Sequence, residues 1–281
     1  MNGSRRPAVA GTFYPRHERE LREIFDNLFA AIRSKTDYSE PEFKEVFGIV
    51  SPHAGYQYSG LVAAKGFSFL KKHMPSPERV IIIGPNHQGI GSMIASTRKS
   101  YWITPLGDVA VDVEGVKKLS STSHLVDIDD LAHEYEHSLE VQLPFLQYIY
   151  GGNFKIIPIC MMAQDKTFAE ELGTCLSEIF VRGKDVIVAS SDFTHYEPHE
   201  NALKKDRGLI NYIEKLDVNG FYDYLSDRKM SVCGFGPIAT LMAMSKKLNA
   251  SESKLLMYMT SGEVVGEYDQ VVGYASIAFG R

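Results

Sequence analysis

Three short apolar runs in this chain end in side chains that bind metals or move protons. The first runs into Ser51-Pro52-His53, the second into Pro85-Asn86-His87, and the third into Ser191-Asp192-Phe193-Thr194-His195. Imidazole suits zinc, iron, copper and nickel, and a carboxylate or thiolate commonly completes such a shell. Asp192 and Cys233 are the candidates to complete it here, Cys233 lying in "SVCGFGP" just ahead of a helical pattern. A thiol near a helix N-terminus is expected to have a lowered pKa, which favours metal binding or redox reactivity. One histidine at a strand end is ordinarily structural, but three on neighbouring strands define a shared polar site.

A fourth stretch, "HEYEH" (133–137), spells H-E-x-x-H. That spacing makes a zinc protease only inside a helix, where residues four apart share a face. Here a polar run precedes it, the helical pattern begins at Ser138, and Pro144 would kink a helix running back through His133. The motif therefore reads as a coincidence: His137 stands at a helix entrance as a candidate site residue, and His133 is expected to face solvent. "GPNHQGIG" (84–91) lacks the order of a dinucleotide loop, and Ser190-Ser191 lack a nucleophile elbow. Cys160 and Cys175 sit in apolar patterns and are expected in the core.

These residues need a frame. Runs at 45–54, 79–87, 154–162, 185–193, 254–262 and 271–280 are short and almost wholly apolar, as strands buried on both faces should be. Helical periodicity alternates with them over 17–34, 59–73, 138–150, 165–181, 201–216 and 234–248, with Asp165 and Asn201 at N-cap positions. This alternation predicts a single α/β domain over residues 1–281, with a central, largely parallel sheet covered by helices on both faces. Two strands in close succession near the C-terminus make part of that sheet antiparallel. Ligands of such sheets bind beyond the carboxyl ends of the strands, which is where the histidines stand.

Composition narrows the function. Hydrophobic residues make up 44% and charged residues 23%, ordinary for a globular chain. A net charge of −5 argues against broad nucleic-acid binding. Arg5-Arg6 and the Lys204–Arg207 run read as solvated surface. No apolar run approaches the ~20 residues of a membrane span. Three scattered cysteines and no signal-like N-terminus fit a reducing cytoplasm.

Taken in order, "RRPAVAGTFYP", "SPHAGYQYSG", "GPNHQG", "EHSLEVQLPFLQ", "SSDFTHY" and "CGFGP" resemble the Memo family over nearly the whole chain, from about residue 6 to residue 278. The resemblance implies the fold of LigB-type class III extradiol dioxygenases, an α/β sandwich around a central sheet. It implies His53, His87 and Cys233 as metal ligands, with Asp192, His195 and His137 lining the same pocket. The related dioxygenases hold iron with two His and a Glu. Cys233 in the third place makes copper or zinc competitive with iron(II) and departs from ordinary extradiol cleavage.

The expectation is a cytoplasmic iron- or copper-dependent redox or oxygen-handling protein, zinc being a further possibility. In it His195, oriented by Asp192, acts as acid–base, and His137 contacts substrate. The alternative is a non-catalytic module binding a peptide or protein in the same pocket, with zinc-dependent hydrolysis ranked third. The resemblance also implies partners in one pathway, a radical SAM enzyme and an AmmeCR-type protein.

Overall fold

The computed structural model describes residues 3–34, 41–250 and 252–281. In chain order the elements are β1 (Ser4–Arg5), α1 (Glu18–Ser34), β2 (Val46–Ser51), α2 (Tyr56–His73) and β3 (Arg79–Pro85). Next come β4 (Ile94–Ser96), β5 (Tyr101–Thr104), β6 (Gly107–Val111), α3 (Val113–Thr122), β7 (Asp127–Ile128) and α4 (Leu131–Glu134). Then follow α5 (Gln142–Tyr150), β8 (Lys155–Met161), α6 (Lys166–Ile179), β9 (Asp185–Ser190) and β10 (His195–Glu197). The chain closes with α7 (His199–Glu214), α8 (Val218–Asp227), α9 (Phe235–Lys247), β11 (Glu252–Thr260), α10 (Ser261–Val265) and β12 (Val271–Gly280).

All six predicted apolar runs are strands of one mixed sheet. Its order is β1-β5-β6-β8-β3-β9-β2-β12-β10, with β11 paired to β12 and β4 bridging β7 and β8. The centre, β8-β3-β9-β2, is parallel. β12 runs antiparallel to β2, β11 and β10, the C-terminal reversal that the short gap predicted. Strands β2 and β9 are buried at every residue, and β3 at all but its first, which explains why they read as unbroken apolar runs rather than alternating ones. One helical layer consists of α1, α2 and α5, which pack on one another as α2 packs on β2 and β12. The other consists of α3, α6 and α9, with α9 lying on β3 and β9.

Three polar features differ from expectation. The helix expected from Ser138 begins at Gln142, because residues 138–141 fold into tight turns that bond Val141 N–H to the His137 carbonyl and Gln142 N–H to that of Leu139. Pro144 then falls in the first helical turn, where its missing N–H costs nothing. Asn201 is not a cap, since α7 already starts at His199 behind Pro198, whereas Asp165 does precede α6. Arg5 and Asp206, expected on the surface, are 5% and 0% exposed. Each is held by partners distant in sequence, which a local charge pattern does not disclose.

Arg5 reaches Glu140 at 2.7 Å, donates to the backbone carbonyls of His133 and Glu136, and lies over the Trp102 ring. Removing one member of a buried pair strands the other's charge, at roughly 3–5 kcal/mol. Arg5→Ala is therefore expected to lower the unfolding free energy by about 3 kcal/mol, read from the midpoint of urea denaturation at unchanged m-value.

Candidate metal centre

β3, β9 and β2 are adjacent and parallel, so their carboxyl ends open at the same edge. His53 follows β2, His87 follows β3, and Asp192 follows β9, which lies between them. His137 enters from the turn ahead of α5, Cys233 from the loop ahead of α9, and His195 opens β10. Two close approaches need glycine. A Cβ on Gly84 would lie 2.6 Å from Ser138 Oγ, in the turn that carries His137, and one on Gly234 would lie 2.3 Å from the Ser190 carbonyl oxygen.

The ligand-type atoms of His53, His87 and His137 all lie within 4.8 Å of one another. The His87 and His137 rings stack at 4.6 Å, and His53 stands edge-on to both at 5.1 and 5.4 Å. Cys233 Sγ is 3.1 Å from His53 Nε2 and accepts from the Asp192 N–H at 3.2 Å. His53 thus faces both the other imidazoles and the thiol.

Hydrogen bonds settle the tautomers. Ser190 Oγ donates to the Ser138 carbonyl and accepts from Gln142 Nε2. Its contact with His53 Nδ1 at 2.9 Å must then be accepted from an Nδ1–H, which leaves the Nε2 lone pair aimed at the cluster. His87 Nδ1 likewise donates to Glu136, at 2.9 Å. A metal-binding histidine typically anchors its second nitrogen in this way. His195 Nδ1 donates to the Ser231 carbonyl at 2.7 Å. The expectation that Asp192 orients His195 is replaced: Asp192 accepts from the His53 backbone N–H at 2.8 Å, and Ser231 fixes the His195 ring.

Burial keeps His53 and His137 neutral. Burial, and then the charges of His137, His87 and His195, hold His53 well below the ordinary imidazole range. Burial lowers His137 to about 4 against the opposing pull of Glu136. Glu136 is itself buried, which would raise its carboxyl; the His87 hydrogen bond, the charges of His87 and His137 and the Ser138 N–H outweigh this and hold it at about 2. Burial raises Asp192 to about 6. Cys233 departs from expectation, because burial and then the Asp192 charge push its thiol up despite the helix behind it.

The sequence pattern overlooked Glu136, the second glutamate of "HEYEH". Its two oxygens take the His87 N–H, the His87 ring and the N–H groups of His137 and Ser138. The motif itself is split. α4 ends at Glu134, His137 joins the cluster, and His133 is 1% exposed rather than solvent-facing, edge-on to Trp102 at 5.4 Å. Cys160 and Cys175 are in the core as expected. Ser190, with its hydroxyl engaged three ways, is a scaffold residue.

Fold and site together define an α/β protein with a histidine cluster at the carboxyl edge of its sheet. A family model described as Memo-like protein matches residues 5–278, and the chain belongs to that family. It is 47% identical over 279 residues to a MEMO1 family protein of Methanosarcina acetivorans, covering 97% of this chain and 98% of that one. It is 44% identical over 281 residues to a relative of the same description from Methanopyrus kandleri, covering 99% of each. In fold it is similar to an uncharacterized Escherichia coli protein, JW3007, with a TM-score of 0.57 at 12% identity, over 84% of this chain and all of that one. Among the described residues no helix is long and apolar enough to cross a membrane.

Two outcomes follow. Glu136→Gln is expected to weaken zinc binding 10- to 100-fold, measured by competition with a chromogenic chelator, as losing an outer anchor typically does. Asp206 accepts from Thr194 and Tyr258 beneath the His195 segment, and burial raises it to about 6 from 3.8. A carboxyl raised in the folded state binds more protons there than in the unfolded chain, so stability falls as pH rises from about 4 to 6. Asp206→Asn is expected to flatten that slope in denaturation midpoints, by about 3 kcal/mol for a two-unit difference.

Proposed function

We propose that this protein is a metal-dependent redox protein, using iron or copper to act on a small substrate or on oxygen. The observation that carries the reading is the convergence of three imidazoles on one pocket, His53 and His87 each anchored through Nδ1. Neutral imidazole with a nearby thiol fits iron, copper or zinc and disfavours magnesium and calcium.

His53, His87 and Cys233 would hold the metal, with His137 beside them. A bound iron or copper would supply one-electron chemistry. The remaining steps belong to the chain. The His87 side chain is 29% exposed and gives access from solvent. His195, with Nδ1–H held by Ser231, presents an Nε2 lone pair that can take a proton from a substrate and return it. Asp192, buried under the His53 backbone, fixes the loop carrying His53 and biases the thiol toward its protonated form. Glu136 sets the His87 ring and the backbone of His137 together. The LigB-like ancestry, a cytoplasmic location and a pathway shared with radical SAM and AmmeCR-type proteins belong to the same proposal.

The test is the metal content of protein purified without oxygen. Near-stoichiometric iron or copper in wild type, lost in His53→Ala, His87→Ala and Cys233→Ala, is the expected result. Retention in Cys233→Ala with loss in His137→Ala would move the third ligand to His137. Absence of metal in wild type, or retention in every variant, would overturn the reading and leave a peptide- or protein-binding pocket. Zinc alone, with oxygen-independent turnover, would make it a hydrolase.

A further inference from the structure

The segment between β11 and β12 folds back beside the His195 strand and leaves an apolar surface open. His199, at the start of α7, donates its backbone N–H to the Tyr268 carbonyl at 2.9 Å, and its ring stands edge-on to that of Tyr268 at 5.2 Å. Its Nδ1 meets Thr260 Oγ1 at 2.9 Å, where α10 begins. These contacts join Tyr196, three residues before His199, to the segment that carries Val264, Val265 and Tyr268. Tyr196 is 72% exposed, and the other three are 42%, 50% and 49% exposed. Tyr196 also holds a left-handed backbone (φ 57°), a cost to a bulky residue that no burial of its ring offsets. One exposed apolar side chain is ordinary, but a group of them on two joined segments marks an interaction surface.

The charge around this surface is of one sign. Residues 192–203 and 260–276 contain Glu197, Glu200, Glu263, Glu267 and Asp269 besides the buried Asp192, and neither Lys nor Arg. Lys205 offsets Glu197 at 2.6 Å, and Glu263 accepts from the Thr260 N–H as part of a helix cap. Glu200, Glu267 and Asp269 are exposed and make no ion pair among the described residues. The buried Tyr274 phenol feels both this surface and the candidate site: burial, then the negative charges of Asp192, Tyr58 and Tyr196, raise it.

Tyrosine rings beside unpaired carboxylates receive cations, and a guanidinium both stacks on the ring and bonds the carboxylate. Charge of one sign also steers a partner of the other. A small free amine would leave Val264 and Val265 uncovered, whereas the long apolar stems of basic side chains would cover them. We propose that this surface docks a basic, arginine-containing segment of a partner protein, laid beside the candidate site. The proposal does not rest on the metal reading, since none of these residues is a candidate ligand.

The probe is fluorescein-labelled octa-arginine, followed by anisotropy, with labelled octa-glutamate as its opposite. Tyr196→Gly removes the ring while keeping a backbone that glycine adopts freely. Glu267→Lys with Asp269→Lys reverses the charge. Asp108→Lys with Glu171→Lys makes the same charge change on β6 and α6, and all these positions are exposed, so the fold is kept. The expected result is saturable octa-arginine binding, weakened about tenfold or more in the first two variants, as loss of a central contact does, and little changed in the third. No saturable binding, an equal loss in the β6 and α6 variant, unchanged binding in Tyr196→Gly, or octa-glutamate binding as tightly would each overturn the proposal. So would a dimer in sedimentation equilibrium that Val265→Asp dissolves, which would give the surface to a second copy of the chain.

Discussion

Two buried carboxylates, Glu136 and Glu140, hold together the parts of this protein that bear chemistry. Each is no more than 1% exposed, and taking a carboxylate out of water is costly unless its oxygens are fully engaged. Both are. Glu136 takes two backbone N–H groups beside it, together with the N–H and ring of His87. Glu140 takes Arg5, the N–H groups of Ala8 and Val9, and the Tyr14 hydroxyl. One carboxylate ties the 136–138 turn to the end of β3, and the other ties the following turn to the N-terminal arm. Without these donors both charges would be stranded, so arm, turn and strand end depend on one another.

That dependence explains what was legible in the sequence. The sheet was readable because fully buried strands leave an unbroken apolar signature, and β2, β3 and β9 carry it. The histidines at their ends were readable because the edge of a parallel sheet is where its ligands collect. The polar wiring was not. Arg5 and Glu140 are 135 residues apart, and His195 and Ser231 are 36 apart. A charged residue next to another charged residue looks like surface, and only its distant partner makes it core. Asp206, inside the run Lys204–Arg207, is the same case, buried against Thr194 and Tyr258.

The tautomers show the same logic at atomic scale. Spacing places an imidazole near a site but does not say which nitrogen points in. Here that is decided by residues that touch no ligand: Ser190, whose own proton goes to the Ser138 carbonyl, and Glu136, which can only accept. Ser190, which lacks the elbow of a nucleophile, is what directs the His53 ring.

"HEYEH" condenses the point. Four residues apart on a helix, its histidines would share a face and a metal. The chain instead leaves the helix after Glu134, and Arg5 grips the carbonyls of His133 and Glu136 on either side of the break. The His137 N–H, which a continuous helix would bond to the His133 carbonyl, donates instead to Glu136 Oε1, so the segment that Arg5 joins to the arm is held out of a helix by the Glu136 carboxylate. His137 is thereby swung to the sheet edge and His133 against Trp102. The motif is thus divided between two environments, and the backbone at the division is held by Arg5, about 130 positions upstream, and by Glu136 beside it.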